Sequence, residues 1–485
     1  MAVTSVIERD KLFIGGEWIA PASDRQFRAL NATTEELIGV TPEGTEADID
    51  AAVAAARAAF EGGWGQTTPQ ERADVLNAFA GEVAKRGEDL ARTVSLQNGM
   101  PYQVSSQFEN AYAVGLLQYY AALAKDLQLE ERRPSPLGFD SLIRREPIGV
   151  VAGIVPWNYP VVLSITKIGP ALAAGCTLVL KPSPGTPLDG FILAECAEAA
   201  GVPAGVLNWV PADREVGAYL VSHPGINKVA FTGSTAAGRK IGAVCGDLLR
   251  PCSLELGGKS AAIILDDADM EQVVQGLNFA SFANNGQTCA ASTRILVPDS
   301  RYDEITGKLA EWAGSLKIGD PLDPETQIGP VASEAHRERV EGYIQNGKNA
   351  GFEVLTGGDR PDTQDKGWFV SPTIFSDVDN SATIAQEEIF GPVLACIRYT
   401  DEQDAIKIAN DSDYGLGGSV WGSDSKRAVA VARQVITGTI GVNGYVIDMN
   451  APFGGVKNSG IGREFGPEAI AGYMQLKSVY LPMGG

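Results

Sequence analysis

A chain of 485 residues is too long for one ordinary hydrophobic core, so two or three domains are expected. With 44% hydrophobic and 20% charged residues, the composition is that of a globular protein and excludes the disordered class. A formal net charge of −21 argues against nucleic acid or an anionic membrane surface as the main partner, and an anionic cofactor would need local donors set against that field.

Six cysteines, at 176, 196, 245, 252, 289 and 396, are scattered without a C-x-x-C pair. In a chain this long they imply neither a disulfide framework nor a zinc site, and they point to a reducing, cytoplasmic setting. Residues 1–10 lack a basic segment followed by an apolar run, so no signal peptide is read there, and no apolar run is long enough for a spanning helix. Only two histidines occur, His223 in a Ser-His-Pro-Gly turn and His336 in a charged helical stretch. Neither neighbourhood suits a histidine triad or a multi-histidine metal site, and no metal is expected.

Residues 11–40 alternate and turn as a small antiparallel ribbon would. Residues 45–60 and 68–86 read as helices, the second opened by Thr68-Pro69, and 103–125 as a third, amphipathic helix. Residues 126–146 read as a hairpin around a Pro/Gly turn, either a plain surface feature or a contact with another subunit. From there strands at 149–155, 177–180, 206–210 and 228–231 alternate with helices at 161–174, 188–200, 215–222 and 234–245. That alternation implies a doubly wound parallel sheet, whose ligands bind at the carboxyl ends of the strands. Pro156-Trp157-Asn158, Lys181-Pro182-Ser183 and Thr232-Gly233-Ser234 fall at those ends, so a nucleotide or dinucleotide site is expected there. A second α/β series follows, with strand 261–265, helix 269–282, strand 293–297 and helices 302–316 and 334–349. Strand 395–399, helix 401–410, strand 417–421 and helix 426–436 lead to a glycine-rich stretch at 452–464. Residues 478–482 are strand-like and able to pair with the 126–146 hairpin.

Three places carry candidate chemistry. Gly233-Ser234 opens a helix whose free amides favour a pyrophosphate, although no G-x-G-x-x-G or P-loop motif is present. Glu255, flanked by Leu254 and Leu256 and followed by two glycines, is either a partly desolvated general base or an edge-strand carboxylate facing water. Cys289 lies between helix 269–282 and strand 293–297 in a bed of amide and small side chains, Asn284-Asn285-Gly286-Gln287-Thr288 before it and Ala290-Ala291-Ser292 after it. A connection of that kind displays reactive groups, yet a free cysteine taken alone is most often an inert buried thiol.

Seven pieces in order resolve these alternatives. They are Pro156-Trp157-Asn158-Tyr159-Pro160, Lys181-Pro182-Ser183, Phe231-Thr232-Gly233-Ser234, Leu254-Glu255-Leu256-Gly257-Gly258-Lys259, Gly286-Gln287-Thr288-Cys289, Glu388-Ile389-Phe390-Gly391-Pro392 and Pro452-Phe453-Gly454-Gly455. With them the chain resembles the aldehyde dehydrogenase superfamily over nearly its whole length, from about Phe13 to Leu481.

The resemblance implies an α/β fold with a doubly wound, parallel-sheet cofactor domain from residues 1–125 and 147–257. It implies a second α/β, catalytic domain at 258–459, and oligomerisation strands at 126–146 and 472–485 that make a homo-oligomer, a dimer or a dimer of dimers. It implies NAD(P)-dependent, hydrolytic oxidation of an aldehyde to its acid. Cys289 would be the nucleophile, Asn158 with the Cys289 amide the oxyanion donors, and Glu255 the base that activates the hydrolytic water. Lys167 and Glu464 match positions associated with proton relay behind Glu255. Lys181 and Glu388 match positions that hold the two cofactor riboses. Trp157 and Ser234 match the adenine-ribose and pyrophosphate region, and Phe390 packs near the nicotinamide. Ile154, Pro156, Ser183, Pro184, Gly233 and Leu256 complete the implied NAD-binding set.

Pro184 stands where NAD-preferring relatives often carry a glutamate, which leaves NADP possible. The expected substrate tunnel takes Tyr159, Val162, Thr166, Thr288, Ala290, Tyr445, Ile447 and Phe453. Thr166, in place of a large aromatic found in some relatives, implies a roomier mouth. No arginine among these positions would clamp a second carboxylate, so an uncharged aliphatic, terpenoid or aromatic aldehyde is expected. A CoA-acylating relative usually lacks the Glu255 base, and a catalytically silent binding protein on the same fold would have lost Cys289, Asn158 or Glu255; all three are present.

Overall fold

The structure, a computed structural model, describes residues 6–482. Residues 1–5, part of the segment read for a signal peptide, and 483–485, the tail of the expected oligomerisation strand, lie outside the described residues. No helix among the described residues is long and apolar enough to cross a membrane.

Five parallel strands form the centre of an eight-stranded sheet, in the spatial order Cys252–Glu255, Lys228–Thr232, Val150–Ile154, Thr177–Lys181 and Leu207–Trp209. Their residues are almost all buried, as strands covered by helices on both faces must be. The chain runs outward through the strands at 150, 177 and 207, then returns to the other side for those at 228 and 252. The strand order therefore reverses between Val150–Ile154 and Lys228–Thr232, where ligands of doubly wound sheets collect. Antiparallel strands close both edges. Gly460–Ile461 covers Cys252–Glu255, so Glu255 is not on an edge strand. The N-terminal ribbon divides: Leu12–Ile14 and Glu17–Ile19 join this sheet, while Gln26–Leu30 and Leu37–Pro42 pair in a small sheet of their own.

A second, seven-stranded sheet centres on Val393–Tyr399, Ser292–Pro298, Ser260–Ile264 and Gly418–Trp421, all parallel. It carries the segment of Cys289 at the start of Ser292–Pro298. Strands Glu130–Pro134 and Asp140–Pro147 form the expected hairpin, and Met474–Tyr480 adds to it antiparallel. Several bounds differ from expectation. A helix at Gly87–Asn98, not read from the sequence, follows Pro69–Lys85 with only Arg86 between them. The long helix to Lys125 contains a π-helical segment, Ser106–Tyr112. The expected strand at 395–399 begins at Val393, and the helix read to Ile436 ends at Ala432.

Candidate active site

The loop before Cys289 is held in an unusual backbone form. Helix Met270–Ala280, N-capped by Asp269, is followed by Asn284 (φ 51°), Asn285 (φ 61°) and Gly286 (φ 76°), three successive left-handed residues. Asparagine and glycine are the residues that adopt this region most readily. An alanine Cβ at Gly286 would lie 2.3 Å from the Gly391 carbonyl oxygen, so this loop sits against the chain with no room for a side chain. Its strain is held by amides. Asn285 Nδ2 donates to the carbonyls of Gly99 and Pro330 at 2.8 Å each, and its Oδ1 accepts from Gly329 N at 2.7 Å. Gln287 Nε2 donates to the Asn98 carbonyl at 3.3 Å, and its Oε1 accepts from Ala332 N at 2.9 Å.

The same lattice fixes Asn158. Its carbonyl accepts from Asn98 Nδ2 at 3.0 Å and from Asn284 Nδ2 at 2.9 Å, and its own Nδ2 donates to the Gln287 carbonyl at 3.0 Å. One of the two Nδ2 protons is thereby used and the other is left for the cavity. The Cys289 amide has no protein acceptor among the described residues. Pro160 opens helix Pro160–Ala174 at its first turn, where no amide proton is needed, and so sets the direction in which Asn158 and Tyr159 leave the strand.

Glu255 is buried, and among the described residues neither carboxyl oxygen has a hydrogen-bond partner. Burial, with the nearby Glu464 charge, pushes it well above the usual carboxylate range, against the opposing charges of Lys167 and Arg463. A Cβ on Gly454 would come within 2.6 Å of Glu255 Oε1, so the glycine pair of the 452–455 motif makes room for this carboxyl. Lys167 Nζ donates to Glu464 Oε1 at 2.5 Å and to Thr232 Oγ1 at 2.6 Å. Burial, then the charges of Glu388 and Glu255, pushes the Cys289 thiol up to about 12. The resting nucleophile is a thiol and needs a base.

Two cavities meet at these groups. One is lined by Pro156, Trp157, Gly233, Ser234, Leu256, Gly257, Glu388 and Phe390, together with His336 and Arg339. Ser234 caps helix Thr235–Asp247 by accepting from Ala237 N, which leaves the helix's other first-turn amides free for an anion. Glu388 Oε1 accepts from Gly258 N at 3.0 Å, and a Cβ on Gly257 would lie 2.4 Å from Glu388 Oε2. These groups suit a dinucleotide: amides for its phosphates, a carboxyl for a ribose and ring faces for its base. Ile154, Lys181, Ser183 and Pro184 do not line this cavity. Lys181 Nζ is turned to the carbonyls of Pro182 (3.0 Å) and Ala212 (2.8 Å), and Ser183 Oγ accepts from Gly185 N.

The other cavity is lined by Tyr159, Val162, Thr288, Ala290, Tyr445, Ile447 and Phe453, all expected, and by Glu464. Thr166 is a correction: it is fully buried behind the wall, its Oγ1 donating to the Leu163 carbonyl, and Leu163 lines the cavity instead. The expected roomier mouth loses its basis, because Phe108, Tyr112, Phe279 and Phe465 supply aromatic walls from other elements. Phe108 stacks on Phe279 at 5.3 Å and meets Tyr159 edge-on at 6.0 Å. Asn158, Thr232, Glu255 and Cys289 line both cavities. A small carbonyl compound in one and a hydride acceptor in the other would therefore meet at Cys289. Among the described residues no group of three or more His, Cys, Asp or Glu could hold a metal ion.

The amides Asn98, Asn284, Asn285 and Gln287, with Thr232, His336, Arg339 and the extra aromatics, were not assigned from sequence. Only the Asn-Asn-Gly run carried a local signal, its tolerance of left-handed backbone.

A model described as the aldehyde dehydrogenase family matches residues 18–479. A geranial dehydrogenase of Castellaniella defragrans is 56% identical over 476 residues, 98% of this chain and 99% of that protein. An aldehyde dehydrogenase of Mycobacterium tuberculosis, solved with NAD+, superposes with a TM-score of 0.97 at 48% identity, covering 99% of this chain and 100% of that one. Aldehyde dehydrogenase C of Pseudomonas syringae, solved as a mutant with NAD+ and octanal, superposes with a TM-score of 0.94 at 38% identity, covering 97% and 96% of the two chains.

Proposed function

The chain belongs to the aldehyde dehydrogenase family, and on that premise we propose that it oxidises an uncharged aldehyde of the terpenoid kind to its carboxylic acid with NAD+. The single observation that carries this is the meeting of the two cavities at Asn158, Glu255 and Cys289. The aromatic and aliphatic walls around Tyr159, Val162 and Phe453 offer no cation to a second carboxylate. The geranial dehydrogenase relative supports a terpenoid chain over a short one.

Glu255 takes the Cys289 proton, and the sulfur attacks the carbonyl carbon. The carbonyl electron pair moves onto oxygen, where the Asn158 amide and the Cys289 backbone N–H hold it. Bound NAD+ supplies the acceptor for the hydride that leaves this carbon. The chain is then acylated at Cys289 as a thioester. Glu255 first gives up the proton it took from Cys289 and then removes one from water; the resulting hydroxide adds to the thioester carbon, and the carbon–sulfur bond breaks to release the acid. Glu464 and Lys167 pass the proton onward from Glu255. The base at the thioester favours water as acceptor over the thiol of a CoA-acylating enzyme.

Pro184 sets no carboxylate against a 2′-phosphate, so we propose that NADP+ also serves, less well. Residues 1–125 with 147–257 form the cofactor domain and 258–459 the catalytic domain, while 126–146 with 472–485 join copies into a dimer or dimer of dimers. The six free cysteines support a cytoplasmic enzyme.

Glu255→Gln tests the mechanism. It should yield one burst of reduced cofactor per site and then lose steady turnover, while Cys289→Ala should abolish the burst. Unchanged turnover in Glu255→Gln would remove Glu255 as the deacylating base.

A further inference from the structure

We infer that His336 is a positioning residue for the cofactor: its Nε2–H holds the Phe390 carbonyl, and with it the left-handed backbone that sets the Phe390 ring against Trp157 in the cofactor cleft. The assignment rests on that cleft being the NAD+ site. The Phe390–His336 hydrogen bond is 2.7 Å long. Phe390 has φ 69°, and a bulky side chain in this region persists only where its surroundings impose it. The imidazole meets Trp157 edge-on at 5.1 Å and Phe390 at 5.9 Å, and Trp157 meets Phe390 at 5.5 Å. All three side chains line the same cavity wall.

The helix carrying His336, Glu334–Asn349, fastens this segment along one face. Residues 336, 339 and 343 recur at helical spacing. Arg339 Nη2 donates to the Glu388 carbonyl at 2.7 Å, and Tyr343 Oη donates to Glu387 Oε2 at 2.6 Å. A Cβ on Gly391 would press within 2.6 Å of Val340 on the same helix. Of these fasteners only His336 reaches the strained residue. Burial lowers its pKa to about 4, so the ring is neutral near neutral pH; a carbonyl only accepts, so Nε2 carries the proton. No charge is introduced beside the nicotinamide end of the cleft.

Calorimetric titration of the cofactor-free enzyme with NAD+ tests this, using wild type, His336→Leu and His336→Gln, with the melting temperature of each. His336→Leu keeps bulk but has no donor, and is expected to weaken NAD+ binding about tenfold, in line with one lost hydrogen bond. Its KM for NAD+ should rise while KM for the aldehyde holds. His336→Gln retains an N–H donor and should recover binding to within about threefold of wild type. Should His336→Leu misfold, His336→Met repeats the comparison. Wild-type affinity in the Leu or Met variant would overturn the inference. So would a Gln variant that melts like wild type yet binds as weakly as Leu. Absence of NAD+ binding by the wild type would instead overturn the cofactor reading of the cleft.

Discussion

Asn98 shows how far the oxyanion donor depends on groups that never touch substrate. Its Nδ2 donates to the carbonyls of Trp157 (3.1 Å) and Asn158 (3.0 Å), and its Oδ1 accepts from Met100 N (3.0 Å). Asn98→Ala removes all three bonds in a fully buried setting. At about 1 kcal/mol net each, stability should fall by about 3 kcal/mol. The catalytic loss is bounded from above: deleting an oxyanion donor outright costs about 10²–10³ in kcat. Asn98→Ala leaves that donor in place and leaves one of its two carbonyl anchors, Asn284 Nδ2 at 2.9 Å. A drop of about tenfold in the burst rate is therefore expected, well short of the bound for Asn158→Ala. The assay is rapid-mixing absorbance of reduced cofactor, with melting temperature measured beside it. Ser95→Ala is the matched control, since it breaks a buried hydroxyl pair with Ser105 (2.8 Å) one turn earlier in the same helix and touches neither loop. A burst rate in Asn98→Ala equal to that of Ser95→Ala would refute the claim that the amide lattice positions Asn158.

Burial raises the Glu388 carboxyl from 4.5 to about 7, against the Gly258 amide and the charges of Arg339 and Lys259. The unfolded chain ionises this group first, so the contribution of Glu388 to stability falls as pH rises from about 4.5 to about 7 and is lower above. Glu388→Gln should lack that fall in scanning calorimetry, and a difference from wild type that stays constant across the window would contradict the assignment. Met474–Tyr480 is an edge strand with Leu476 71% and Tyr480 73% exposed. If the proposed dimer forms along this strand, Leu476→Glu with Tyr480→Lys should shift size-exclusion elution to a smaller species, and unchanged elution would refute the proposed contact.

The chemistry was legible where a short stretch binds residue type to backbone. Local pattern left Cys289 and Glu255 with two readings each, and the roles of these two and of Asn158 came with the seven family-like pieces taken together; the structure gathers the three around one point. What escaped reading depends on distant partners. His336 looked idle because its sequence neighbours are charged, whereas its spatial partner Phe390 is 54 residues away. Thr166 looked like tunnel wall by position, but its hydroxyl bonds back into its own helix and turns the side chain inward. The π-helical turn at Ser106–Tyr112, which brings Phe108 and Tyr112 to the substrate cavity, leaves no mark in a 3.6-residue pattern. Helix Gly87–Asn98 went unread although Gly87 marks where the preceding helix ends, and Asn98 and its three bonds, all to residues outside that helix, went unread with it.

The protonation of Cys289 turns the Glu255→Gln experiment into a sharper one. Burial pushes Cys289, Glu255 and Glu388 all toward their neutral forms, and where either carboxylate is ionised its charge opposes a second anion on the thiol. Releasing the Cys289 proton to water would leave a net anion in that dry region. Passing it to Glu255 moves the negative charge from one residue to the other without creating a second. In Glu255→Gln that transfer is closed, and thiolate forms only by the cysteine's own ionisation, which burial and the Glu388 charge still hold above the usual thiol range. The burst should keep its amplitude of one per site but lose rate near neutral pH, and the rate should then climb with pH at a slope of about one, the thiolate being the nucleophile. The wild type, with its internal base, should show a flatter profile over the same range. A burst in Glu255→Gln that matches wild type in rate and in pH dependence would mean that Cys289 is activated by a group other than Glu255, and would leave Glu255 only its part in hydrolysis.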